Sequence, residues 1–341
     1  MAKVWLYGHW LSENLGDRYQ PRAIAEYIVR YVDLSFITFV NFFPDDKPMS
    51  IELCGKEWPV FSPEEVYLNQ PSPELIILVT GSIDRTMSYI PWLSRFLETS
   101  GIEIIVWGGF AHVSSPEEFR EGLEVLGDRR ITFWARSWLD LDMYQKMFPI
   151  GRCELSGDPM AIWAFNRDIK INPAGPRVII VSIHAWKYHP EIWSSLIQKG
   201  DILLSIDPYD DAPLKREYPH LKIIRTPEDL FAALQGCSQV ISGRLHGGLL
   251  SALAKVPTTL VIIDDALSGK GSFKFEAVGT SGSGQNRELC QVVLSKDLGC
   301  TLLPPEVKTE ACEDYFILTI ESMGRILSNL RRLNLCPYIR W

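Results

Sequence analysis

The chain has no long apolar run, no paired cysteines and no surplus of basic charge, and each absence removes a class of protein. No stretch approaches the ~18 apolar residues needed to cross a bilayer. The apolar run Val4-Trp5-Leu6-Tyr7 is short and lacks a small-residue cleavage site, so it reads as a first strand, not a secretion signal, and cytoplasmic residence is expected. The seven cysteines (Cys54, Cys153, Cys237, Cys290, Cys300, Cys312 and Cys336) are odd in number, scattered and without a C-x-x-C pair. That argues against both a disulfide framework and a structural zinc site. A net charge of −8 and a pI near 5.4 give no bulk attraction for nucleic acid or an anionic membrane surface. The sequence has no G-x-G-x-x-G, no G-x-S-x-G and no P-loop. No His, Cys and carboxylate set has metal-ligand spacing, so no metal is expected.

What remains is an ordinary globular composition, 46% apolar and 22% charged, over 341 residues, enough for two cores. Short β-type runs recur at Val4–Tyr7, Phe36–Val40, Leu75–Val79, Ile102–Trp107 and Ile131–Trp134. Helical patterns separate them, among them a helix with Pro21 near its first turn and Ile24, Tyr27, Ile28 and Tyr31 at i, i+3, i+4 and i+7. A second series follows the turn-rich segment Asn166–Pro176, with strands at Val178–Ile183, Ile202–Ile206, Leu221–Ile224, Val240–Ser242 and Thr258–Ile263. The alternation predicts parallel sheets covered by helices. The expected domains are 1–165 and 177–305, followed by a C-terminal helix and tail over 306–341. That helix carries a stripe at Phe316, Ile320, Met323, Leu327 and Leu330. Ala277–Gln285 is Gly/Ser-rich and reads as a surface loop. Facing open α/β domains would place ligands at the carboxyl ends of their strands.

The segment Ser242-Gly243-Arg244-Leu245-His246-Gly247-Gly248 joins a strand end to a helix start. A helix N-terminus attracts anions, Arg244 adds a planar fork for phosphate or carboxylate, and His246 supplies acid/base chemistry near neutral pH. Two glycines at the helix start are expected to let a ligand approach the backbone. Asn14 and Asp17, in the loop after the first strand, are candidates for holding substrate hydroxyls, with helix capping and turn formation as the alternative. Gly81, His112, His184 and Arg136 follow strand ends and occupy the same kind of position. Trp10 and Trp186 are candidates for stacking on a sugar, with core packing the alternative. Asp140-Leu141-Asp142 reads as a solvated helix face.

These elements resemble the polysaccharide pyruvyl transferase family. Asn14-Leu15-Gly16-Asp17 is similar to its N-x-G-D element, Arg136 to its strand-end arginine, Gly157-Asp158-Pro159 to its G-D-P turn, and Ser242–Gly247 to its S-x-R-x-H-G signature. Val256-Pro257 and Lys274-Phe275 fit its later elements. Five residues separate Gly8 from Asn14, and Thr80-Gly81-Ser82 replaces a longer glycine run, which are departures on the acceptor side.

The resemblance implies two facing Rossmann-like domains of GT-B type, with the C-terminal helix packing back on the first. It also implies transfer of a pyruvyl group from phosphoenolpyruvate to two hydroxyls of one sugar, with ketal formation and phosphate release. No cofactor is implied beyond that donor. The acceptor would be a saccharide, free, lipid-linked or nucleotide-linked, and a lipid-linked one would bring the protein to the membrane periphery. Carried over, Ser242, Arg244, Leu245, His246, Gly247, Gly248 and Arg136 bind the donor, with Arg244 and His246 catalytic. Asn14, Asp17, Gly81, His112 and His184 face the acceptor. Two alternatives stand beside this: a GT-B glycosyltransferase using a nucleotide sugar, such as a sialyltransferase-like enzyme, and a glycan-binding protein without catalysis.

Overall fold

The Val/Ile/Leu runs become strands because continuous apolar character suits a strand covered on both faces. A computed structural model describes residues 4–42, 49–80, 101–108, 130–147, 152–183, 190–262, 289, 291–294, 306–307 and 309–333. The chain divides into two units. One comprises residues 1–12, 17–159 and 317–341, and the other residues 13–16 and 160–316.

The first unit carries an eight-stranded sheet ordered β3-β4-β2-β1-β5-β6-β7-β8. Its strands are β1 (Val4–Gly8), β2 (Ile37–Asn41), β3 (Met49–Leu53), β4 (Lys56–Phe61), β5 (Leu75–Thr80), β6 (Glu103–Gly108), β7 (Ile131–Ala135) and β8 (Arg152–Leu155). All neighbours pair in parallel except β3 and β4, which form an antiparallel hairpin. Cys54 and Gly55 turn that hairpin with φ of 52° and 72°, the left-handed pair that a tight two-residue turn requires. Helix α1 (Leu15–Ile28) begins well before Pro21, which lies inside it, and Tyr31 falls beyond its end. The expected start near Pro21 is therefore corrected. Helix α2 (Pro63–Asn69) opens with a capping box between Ser62 and Glu65. Helix α3 (Trp138–Met147) follows β7.

The second unit holds a six-stranded, all-parallel sheet ordered β11-β10-β9-β12-β13-β14. Its elements are α4 (Ala161–Ala164), β9 (Arg177–Ile180), α5 (Pro190–Leu196), β10 (Ile202–Ser205), α6 (Leu214–Glu217), β11 (Lys222–Ile223), α7 (Pro227–Leu234), β12 (Gln239–Ser242), α8 (Leu245–Leu253), β13 (Thr258–Ile262) and β14 (Gln291–Leu294). The turn-rich segment before β9 is hydrogen-bonded into this unit, through Asn172 N to Cys237 O, Gly236 N to Lys170 O and Ser238 N to Pro176 O.

Both sheets run outward in two directions from their first strand. This doubly wound order creates a switch point between β1 and β5 and another between β9 and β12, where the crossover loops part.

The last helix, α9 (Thr309–Arg332), belongs to the second unit through Phe316 and to the first from Ile317 onward. Met323, Ile326, Leu327 and Leu330 are buried in the core of the first unit with Val4, Leu6, Ile77 and Trp107. Ile320, expected on the apolar stripe, is 37% exposed, and Phe316 packs on Phe165 of the second unit. The stripe breaks where the helix changes the unit it serves. Among the described residues no helix is long and apolar enough to cross a membrane.

Candidate functional site

The S-x-R-x-H-G segment lies at the switch point of the second sheet. Ser242 ends β12 beside Ile180 of β9, and α8 starts three residues later at Leu245. Ser242 shapes the turn: its Oγ donates to Arg244 O (2.7 Å) and accepts from Arg244 N (3.1 Å). Arg244 is the N-cap residue of α8, and its side chain makes no cap hydrogen bond.

Gly247 and Gly243 are set by close packing. A Cβ on Gly247 would meet Ile180 Cδ1 at 2.8 Å and Ser242 Oγ at 3.0 Å. A Cβ on Gly243 would meet Trp193 Cζ2 at 2.6 Å. Protein atoms, not a ligand, occupy the space that a side chain would take there. The glycines let α8 lie close against β9.

Arg244 is nearly buried, with 11% side-chain exposure, and three carboxylates surround it. Its Nη2 donates to Asp211 Oδ1 at 2.7 Å, and its Nη1 lies 3.3 Å from Asp207 Oδ2 and 3.8 Å from Asp210 Oδ2. Its Nε has no partner among the described residues. Asp211 is fully buried and its carboxylate is saturated, because Oδ1 also accepts from Ile183 N (2.8 Å) and Oδ2 from Ser205 Oγ (2.7 Å). It therefore fixes the guanidinium plane. Asp207 is held differently. Its Oδ2 accepts from Asn14 Nδ2 (3.0 Å) and its Oδ1 from Asp210 N (3.2 Å). Burial raises its pKa above the ordinary carboxylate range and outweighs the pull of Arg244 in the opposite direction.

These aspartates, in Asp207-Pro208-Tyr209-Asp210-Asp211 after β10, are absent from the residues singled out by sequence. A signal for them exists: a strand end followed by a turn-rich acidic run, the same position that marks the other candidates. Tyr209 in the same loop is 80% exposed.

Ser242, Arg244, Leu245, His246, Gly247 and Gly248 come together with Asn14 in the second unit, which includes residues 13–16. His246 is buried, with 7% exposure, and Gly16 lies against its ring. Asp17 stands in the first turn of α1. Arg136 belongs to the first unit, where its Nη1 pairs with the fully buried Asp158 at 2.9 Å, and Gln20 Nε2 donates to the same Asp158 oxygen at 3.2 Å. The G-D-P turn thus holds the strand-end arginine, and Gly157, at φ 69°, has no room for a side chain beside Thr319. Trp10 is a core residue, fully buried with Nε1 donating to Val40 O at 3.1 Å. Gly81, His112, His184, Trp186, Lys274 and the Gly/Ser-rich loop lie outside the described residues. Among the described residues no group of three or more His, Cys, Asp or Glu is placed to hold a metal ion.

A doubly wound pair of parallel sheets with charged groups at a switch point defines a broad class, and comparison with known structures narrows it. The wall teichoic acid polymerase TagF is similar over 98% of this chain and 88% of its own, at 11% identity and a TM-score of 0.52. A variant of that polymerase soaked with CDPG is similar over the same shares at 11% identity and a TM-score of 0.51. The likeness is one of fold, the mixed α/β, parallel-sheet kind of GT-B glycosyltransferase-like structures. No curated protein matches the chain significantly. Residues 14–265 match the polysaccharide pyruvyl transferase family, so the chain belongs to that family and is a transferase acting on polysaccharide.

Proposed function

We propose that the protein transfers the three-carbon unit of phosphoenolpyruvate to two hydroxyls of one sugar residue, closing a pyruvate ketal and releasing inorganic phosphate. The observation that carries this reading is the seating of Arg244 and His246 at the β9/β12 switch point, within the segment that matches the family. A protein of net charge −8 must gather cationic groups locally to take a donor carrying both phosphate and carboxylate. The Nε of Arg244 supplies a donor for those oxygens, and the amino end of α8 adds the positive end of a helix dipole.

In the reaction a proton is added to the methylene carbon, which becomes a methyl group. The central carbon takes on oxocarbenium character and accepts one sugar oxygen. The C–O bond to phosphate breaks, the phosphate leaves with the electron pair, and the second sugar oxygen takes its place. One hydroxyl proton balances the proton placed on carbon, and the other leaves with phosphate. His246 is the acid/base group in this scheme, and Arg244 stabilises the departing phosphate. Asp211 keeps that guanidinium oriented through the 2.7 Å bond to Nη2, and Asp207 faces Nη1 at 3.3 Å.

The test is a thermal-shift titration with phosphoenolpyruvate, CMP and UDP side by side, using Arg244→Ala as the control. A ligand at ~100 Kd stabilises the native state by ~2.7 kcal/mol. The expected result is a shift with phosphoenolpyruvate that Arg244→Ala loses. A shift with a nucleotide and none with phosphoenolpyruvate would replace this reading with glycosyl transfer, and no shift with any of them would favour a binding protein without catalysis.

A further inference from the structure

We infer that Asn14 and Gly16 are positioning residues that set the imidazole of His246. Three hydrogen bonds fasten the short segment they belong to. Leu15 N donates to Ile206 O at 2.9 Å, Asn14 Nδ2 donates to Asp207 Oδ2 at 3.0 Å, and Gly16 N donates back to Asn14 Oδ1 at 2.9 Å. The first two tie the segment to the end of β10, and the third holds Gly16 in place against Asn14. The α-carbon of Gly16 is thereby pressed on the imidazole. A Cβ built there would stand 1.9 Å from His246 Nδ1, 2.4 Å from Cγ and 2.6 Å from Cε1.

Of these three distances, the one to Cγ is decisive. That atom lies on the Cβ–Cγ axis, so flipping or rotating the ring about that bond leaves it where it is. Any side chain at position 16 must move His246 to another χ1 or tear the segment from β10. Gly16 is not there for its backbone, since its φ lies outside the left-handed region. The contact with His246 is what reserves position 16 for glycine. Asn14 is the other half of the device, because one side chain joins Asp207 beside Arg244 to the glycine that flanks the imidazole.

The kinetic arm of the test rests on pyruvyl transfer, and the spectroscopic arm does not. Histidine-labelled protein would be followed through the ring nitrogens of its six histidines, with His246→Ala identifying the signal of interest. Gly16→Ala is expected to displace the His246 ring signals and their titration while leaving the other histidines unmoved. It should also lower kcat with phosphoenolpyruvate by ~10²-fold, the loss expected from a misplacement of about 1 Å, with little change in KM. Asn14→Ala, at a half-buried position, is expected to retain the fold and to produce the same displacement to a smaller degree. His246 signals and titration unchanged in both variants would overturn the inference. Displaced signals in a protein whose parent form does not turn over phosphoenolpyruvate would support positioning and reject pyruvyl transfer.

Discussion

At the scale of single residues the decisive contrast is between two aspartates around one arginine. Asp211 accepts from Ile183 N, Ser205 Oγ and Arg244 Nη2 and serves as a fixed anchor, whereas burial raises the pKa of Asp207 in spite of its contacts with Arg244 and Asn14. A carboxyl whose folded pKa is raised gives stability that is present below its unfolded pKa and lost as pH climbs through the folded value. Asp207→Asn should therefore be nearly neutral in melting temperature at about pH 4 and gain on the parent as pH rises toward about 7. A variant that loses ground on the parent over that range would show that the pairing with Arg244 outweighs burial. The placement of Arg244 and His246 at a strand end and helix start is legible in the sequence because that pattern is local. The carboxylates that hold Arg244 come from 33 to 37 positions earlier in the chain. Their pairing depends on β9, β10 and β12 lying side by side, which no local pattern contains.

At the scale of elements, the continuous apolar strands are legible to within a few residues. β3, β4, β8 and β14 are not. Met49–Leu53 alternates buried and exposed residues, and β4 buries only Val60 fully, the pattern of an edge hairpin and not of a strand covered on both faces. Helix α1 starts earlier than Pro21 suggests, because a proline inside a helix survives where packing holds it. Here Pro21 fills the space above Gly8, where a Cβ would approach it to 2.5 Å. The join between α8 and β9 gives a test of close packing. Gly247→Ala should cost ~1–3 kcal/mol through overpacking against Ile180, read as a shift in urea midpoint. Combining it with Ile180→Val, which removes the Cδ1 that would stand at 2.8 Å, should recover part of that loss. Additive losses in the double variant would mean that the clash is relieved elsewhere.

At the scale of the molecule, neither unit is one continuous stretch of chain. The first unit completes its core with Met323, Ile326, Leu327 and Leu330, whose burial contributes ~6–12 kcal/mol as an upper figure. That is comparable to the whole stability of a typical domain, ~5–15 kcal/mol. Deleting residues 317–341 should leave the eight-stranded sheet open to proteolysis, and a variant whose first unit resists protease as well as the parent's would contradict this assignment. The same connectivity bears on how the protein is made. Chains emerge from the ribosome with the amino end first, and domains commonly fold in that order. Here the strands of residues 1–159 must wait for the part of α9 from Ile317 onward, which is synthesised only after residues 160–316. During translation the nascent chain carries an unfinished sheet with an apolar face still uncovered. The exposure of that face to chaperones is set by the time needed to translate residues 160–316.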